Sequence, residues 1–252
     1  MLPRGEIARR LFDSVFHRGE KAVIEEVRIG LGYVGVRLDD QRMGLAALLI
    51  QELPASCSVF PDAGKLAGSK ARSLLGNIIE GQNPLKKALG LAAANAVLHA
   101  ASGEDDKDSL SIMKLVPEDH VAMVGLFTPM VPKIKATGAR LTVIERNPVR
   151  LAVLDKKESA KILKECTVAI ITATALLNDT LEEILNGLGK PRHVAILGPS
   201  TPLCPEIFHD TPVNHLGGAL VRDTKKVMQI ISEGGGTPAM RPYLRFVNLL
   251  VK

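Results

Sequence analysis

The chain has 252 residues, 46% of them hydrophobic and 23% charged, with 32 Lys and Arg against 27 Asp and Glu. That length and balance exclude a disordered polypeptide and give room for one large core or two modest ones. Aromatic residues make up 3% and Trp is absent, so the core must be aliphatic and no base-stacking platform for nucleic acid is expected. The net charge of +5 comes from basic residues interleaved with acids, which reads as a mixed solvated surface and makes a nucleic-acid partner unexpected.

Cys57, Cys166 and Cys204 form an odd, widely spaced set without a CxxC pair, which argues against a disulfide framework or a structural zinc site and fits a cytoplasmic setting. Arg9 and Arg10 interrupt any signal-like start, and no apolar run reaches the roughly 20 residues that span a bilayer. No membrane partner is expected. A homo-oligomer stays open.

In chain order, Ile7, Leu11, Val15 and Phe16 fall at helical spacing and predict an amphipathic helix over 5–16. Residues 23–29 and 33–38 alternate around Gly30 and Gly32 as an antiparallel hairpin, and 45–50 reads as a third strand. Helical patterns cover 65–79 and 84–99, the second with Asn83 as cap, Pro84 in its first turn and a small apolar face of Leu89, Ala92, Ala93, Ala96 and Val97. Strands followed by helices describe an α+β unit. The polar, acidic run Ser102–Asp108 marks the junction, giving domains 1–105 and 106–252.

Beyond it, strands at 121–126, 141–144, 168–171 and 193–197 alternate with helices near 131–137, 156–164 and 179–187. This is the pattern of a doubly wound, Rossmann-like parallel sheet. Three of these strands begin almost alike, as Val121-Ala122, Val168-Ala169 and Val194-Ala195, and each runs into a small polar loop. Open α/β sheets bind ligands at the strands' carboxyl ends, so those loops hold the candidate site.

The first loop carries Gly125, Thr128 and Pro129, and Glu145 follows about 20 residues later, where a dinucleotide fold would hold a ribose. The G-x-G-x-x-G turn is missing, which makes a nucleotide the weaker cofactor. The second loop offers Thr174 to a ligand, with Asn178 or Asp179 as helix cap. The third is Gly198, Pro199, Ser200, Thr201 and Pro202, held rigid by its prolines. Asp223 follows an apolar run that begins at Gly217-Gly218, and Gly234, Gly235, Gly236, Thr237 and Pro238 precede a terminal helical stretch. Cys204, His209 and His215, spaced C-x4-H-x5-H in one loop region, are the weak candidates for metal ligands. Gly64 to Lys70 does not match a phosphate loop, because its glycines are too close and its Lys and Ser are reversed.

The segments Asn83–Ala96, Leu197–Leu203, Gly218–Asp223 and Glu233–Thr237 resemble, in order, those of the putative heavy-metal chelation family. The resemblance implies an enolase N-terminal-like α+β domain followed by a Rossmann-like α/β domain, with a site in the cleft between them. Carried over by residue, that site comprises Thr128, Pro129, Thr174, Asn178, Gly198 to Thr201, Asp223 and Gly234 to Thr237. Cys204 belongs to none of the resembling segments. The expected function is binding of a small anionic or metal-chelating ligand in the interdomain cleft, in heavy-metal or metallocofactor handling. The alternatives are an enzyme using a nucleotide-like cofactor at the C-terminal strand ends, with Asp223 as acid or base, and a non-catalytic scaffold.

Overall fold

A computed structural model describes residues 1–54, 60–81, 83–98, 108–149 and 151–251. The expected junction, apart from Asp108, lies outside these residues, as does Cys57. The first helix, α1 (Glu6–Gly19), buries Ile7, Leu11 and Val15 completely and turns Glu6 outward to Arg9 and Arg10. Strands β1 (Ile24–Ile29), β2 (Tyr33–Leu38) and β3 (Met43–Ala47) form an antiparallel meander. Its two faces are both covered: Val34, Val36, Leu38 and Ala46 join one apolar cluster, Met43 and Leu45 another.

The helix expected over 65–79 does not form as one piece. Its first residues extend the sheet instead, with Ile24 N donating to Ser69 O, Gly68 N to Ile24 O and Ala71 N to Ala22 O at 2.8–2.9 Å. Backbone groups used in that way are lost to a helix, so helical structure starts late, as α2 (Arg72–Leu75) and α3 (Asn77–Glu80). The next helix, α4 (Pro84–Leu98), starts as expected, with Asn83 Oδ1 accepting from Lys86 N at 2.9 Å. It is apolar almost all round and buries eleven residues, as a helix packed on several sides must.

The second half contributes α5 (Ser109–Met113), β4 (His120–Val124), α6 (Val131–Ala136), β5 (Arg140–Ile144), α7 (Lys156–Glu165), β6 (Val168–Thr172), α8 (Leu181–Gly187) and β7 (His193–Leu197). It closes with β8 (His215–Val221), α9 (Thr224–Ser232), α10 (Thr237–Met240) and β9 (Leu244–Leu250). The six strands run in the order β5-β4-β6-β7-β8-β9, and only β9 is antiparallel. The terminal stretch expected to be helical is therefore a strand after one short helix. Seven residues of β9 pair with β8, and Val247 and Leu249 turn into the core. Pairing with an open sheet edge overrides local helical pattern.

Alternation along the parallel strands divides the core. Val121, Met123, Val168, Ile170, Ala195 and Leu197 pack with Met113 and Ile134 on one face. Ala122, Val124, Ala169, Ile171, Val194 and Ile196 face the other way, into a cluster that also contains Leu11, Leu89 and Ala92. The large sheet and the N-terminal layer thus share one core, which holds the carboxyl-end loops against α1, α4 and β3. Among the described residues no helix is long and apolar enough to cross a membrane.

Candidate functional site

Strand order places the reversal of winding between β4 and β6, where an open sheet leaves a crevice at its carboxyl edge. Gly125 ends β4 there at φ 83°, and a Cβ on it would lie 2.7 Å from Thr172 Cγ2. The room opened by this glycine is filled by a threonine methyl. Thr172 in turn accepts from Thr174 N at 3.3 Å, and its hydroxyl lies 3.0 Å from that of Thr174. Thr128 and Pro129 are exposed in the turn after β4.

Glu145 is buried, and its carboxylate accepts from the backbone of Leu126 (3.2 Å), Arg146 (2.8 Å) and Asn147 (3.1 Å). These amides tie the loop after β4 to the end of β5. Asn178 belongs to the same edge. Its amide nitrogen donates to Ala175 O (3.2 Å) and Thr180 Oγ1 (2.7 Å), and its oxygen accepts from Arg146 Nη1 at 3.0 Å. Neither Asn178 nor Asp179 caps α8, whose N-cap is Thr180. Asp179, at φ 56°, instead pairs with Lys87 of α4 at 2.5 Å and with Arg4 at 3.3 Å.

The loop after β7 is the most enclosed of the three. Ser200 and Thr201 are buried, at 2% and 3% exposure. Ser200 Oγ accepts from Ala47 N at 2.8 Å. Asn95 of α4 donates through Nδ2 to both Leu45 O (2.9 Å) and Ser200 O (3.2 Å), clamping β3 to this loop. The approach depends on Gly44: a Cβ there would fall 2.1 Å from Ala92 O and 2.2 Å from Ala96 N. Two buried side-chain oxygens at this seam, Asn95 Oδ1 and Thr201 Oγ1, have no hydrogen-bond partner among the described residues. Both residues line one small cavity of about 10 Å³, together with Met43, Gly44, Leu203 and Leu220.

Asp223 is exposed and caps α9 by accepting from Lys226 N at 2.9 Å. Gly236 is the N-cap of α10. Thr237, in its first turn, places its hydroxyl 2.7 Å from that of Tyr33 on β2. Gly235 N is taken by Ile230 O at 2.8 Å. The Thr237–Tyr33 contact joins the second half to the N-terminal sheet, beside Ala47, the cross-strand partner of Tyr33 whose N–H Ser200 accepts.

The C-x4-H-x5-H residues do not converge. Cys204 packs in the core against α1, 3.5 Å from Ser14 Oγ, and burial pushes its thiol up to about 12. His209 is exposed. His215 lies in β8 rather than in a loop, fully buried, with Nδ1 3.0 Å from His193 Nε2 and Nε2 2.8 Å from Asn248 Oδ1. A thiol held protonated and an imidazole with both nitrogens engaged are poor ligands. Among the described residues no three His, Cys, Asp or Glu side chains are grouped to hold a metal. The donor set visible here does not fit direct ligation.

Asn95, Arg146 and Lys87 are the edge residues that the loop motifs alone miss. A single Asn in the Ala- and Leu-rich run 88–98 was the available signal, because a polar group buried among apolar ones needs partners.

Two family models of one description, Putative heavy-metal chelation, match the chain, over residues 12–98 and residues 108–250. An uncharacterized protein of Methanocaldococcus jannaschii is 27% identical over 160 residues, or 60% of this chain. The match spans 61% of that relative's length. A protein of unknown function from the DUF364 family of Pyrococcus horikoshii superposes with a TM-score of 0.83 at 21% identity, covering 97% of this chain and 100% of the other. A second DUF364 protein of unknown function, from Desulfitobacterium hafniense DCB-2, gives 0.79 at 22% identity, covering 98% and 97%. The likeness to both structures is one of fold.

Proposed function

The chain belongs to the Putative heavy-metal chelation family, and from that premise we propose that it binds a small anionic or metal-chelating ligand in a cleft between the N-terminal layer and the carboxyl edge of the large sheet. Its role is then in heavy-metal or metallocofactor handling. The observation that carries this reading is the seam at Asn95. Polar groups of α4, β3 and the loop after β7 converge there, and two buried oxygens are left without a partner among the described residues. Buried polar atoms are nearly always satisfied, so unpaired ones on a small cavity favour a bound molecule.

A chelating molecule accounts for the family description better than a bare ion, because the Cys204, His209 and His215 set is dispersed. The nucleotide-cofactor enzyme has less support. Glu145 accepts three backbone N–H groups, and Thr172 occupies the space beside Gly125 that a pyrophosphate would need.

Native mass spectrometry of the freshly purified full chain, with elemental analysis, tests the proposal. A co-purifying organic mass, with or without stoichiometric metal, supports it. Stoichiometric metal retained without any organic mass points to direct ligation and overturns the chelate form. Retention of neither moves the weight to a scaffold.

A further inference from the structure

Both hydrogens of the Asn95 amide are committed, one to Leu45 O and one to Ser200 O. An amide nitrogen has no third donor, so these two bonds fix which atom of the amide is nitrogen and leave Oδ1 as an acceptor only. Thr201 is 3% exposed and its hydroxyl is unpaired. The cavity that both residues line is otherwise walled, among the described residues, by Met43, Gly44, Leu98, Leu203, Ala219 and Leu220, with no ionisable side chain among them.

These facts constrain the chemistry of what enters. An acceptor-only group such as a carboxylate or phosphate oxygen would meet Asn95 Oδ1 lone pair to lone pair. An ammonium group would be buried among apolar walls without a carboxylate, which is costly. A neutral N–H or O–H suits both atoms, because it can donate to Asn95 Oδ1 while the Thr201 hydroxyl accepts or donates as needed. The volume of about 10 Å³ is room for one such group.

We infer that Asn95 and Thr201 form a subsite for a neutral hydrogen-bond donor, an amide or ring N–H or a hydroxyl, which anchors one end of the bound molecule and excludes its anionic groups from this position. The inference deepens the cleft reading and rests on it for the identity of the larger ligand. The subsite itself can be tested apart.

Formamide and formate have nearly the same size, but only formamide carries N–H donors and no charge. Each is titrated into the full chain while the side-chain amide of Asn95 and the methyl of Thr201 are followed by NMR. Formamide should shift both signals saturably, and formate at equal concentration and ionic strength should shift neither. Thr201→Val should weaken formamide binding about tenfold, the loss of roughly one net hydrogen bond, and Thr201→Ser should restore it. Equal effects of the two probes, or an equal response to formamide in wild type and Thr201→Val, would overturn the subsite. So would crystals soaked in formamide that show only water beside Asn95. A protein that distinguishes the probes yet retains no organic mass keeps the subsite and loses the proposed function. The opposite pair of results loses the subsite alone.

Discussion

The hydroxyl of Ser200 accepts the backbone N–H of Ala47 at 2.8 Å, so a loop of the six-stranded sheet completes the last strand of the three-stranded one. Neither sheet ends its hydrogen bonding within itself. Ser200 is buried, at 2% exposure, whereas Ala47 is half-buried, so loss of the bond would leave the Ala47 amide only partly compensated by water.

Ser200→Ala should therefore destabilise the chain by about 0.5–1.5 kcal/mol, the net worth of one hydrogen bond. Urea unfolding measures it as a lower midpoint with an unchanged slope. An unaltered midpoint would mean that Ala47 finds another acceptor.

Gly44 and Gly76 should respond to alanine in opposite directions. At Gly44 the new Cβ would meet the backbone of α4 at 2.1–2.2 Å, and backbone cannot swing aside, so a loss of about 3 kcal/mol or more is expected. Gly76 has helical angles and open space around its Cβ position, so Gly76→Ala should add about 0.4–1 kcal/mol by stiffening the unfolded chain. Thermal unfolding of the two variants side by side checks both signs.

His193 and His215 make stability depend on pH. Asn248 Oδ1 accepts from Ser109 Oγ at 2.7 Å and faces His215 Nε2 at 2.8 Å, so His215 carries its proton on Nε2 and its Nδ1 accepts from His193 Nε2. Burial, then the neighbouring His215 and Arg192, lowers His193 from 6.5 to about 4, and burial lowers His215. Between those values the unfolded chain binds a proton that the folded chain refuses. The contribution of His193 is thus complete above about pH 6.5 and is lost as the pH falls toward about 4. His193→Gln keeps an N–H for His215 but does not titrate, so its stability should fall less steeply across that window in denaturant titrations. Parallel profiles for wild type and variant would refute the assignment.

Cys204 should be chemically silent while the fold lasts. A buried thiol pushed up to about 12 has almost no thiolate at neutral pH. Peptide mapping after iodoacetamide at pH 8 should find Cys204 unmodified in native protein and alkylated in urea. Cys204→Ala should leave the metal content of purified protein unchanged. A drop in that content would restore Cys204 as a ligand.

Much of the architecture could be read from the chain because it depends on short-range pattern. Apolar runs such as Val168–Ile171 suit a strand buried on both faces, and Ile7, Ala8, Leu11 and Val15 share one face on a helix but not on a strand, which would turn Ile7 and Ala8 to opposite sides. Asn83 and Pro84 mark the start of α4 for equally local reasons. The errors fall where distant partners decide: residues 68–71 spend their backbone bonds on β1 and its flank, and residues 244–250 are drawn into a strand by β8.

For the site, the sequence by itself determined that Thr174, Ser200 and Thr201 lie in loops at the carboxyl ends of parallel strands. Only the tertiary structure decided which of them meet another element. Ser200 and Thr201 do, because Gly44 lets α4 approach closely enough for Asn95 to bridge two chain segments more than a hundred residues apart in sequence. His215, one step from a loop in the sequence, became core through its pairing with His193 and Asn248. Contacts of that kind arise from folding the two halves onto one shared core, and no local spacing encodes them.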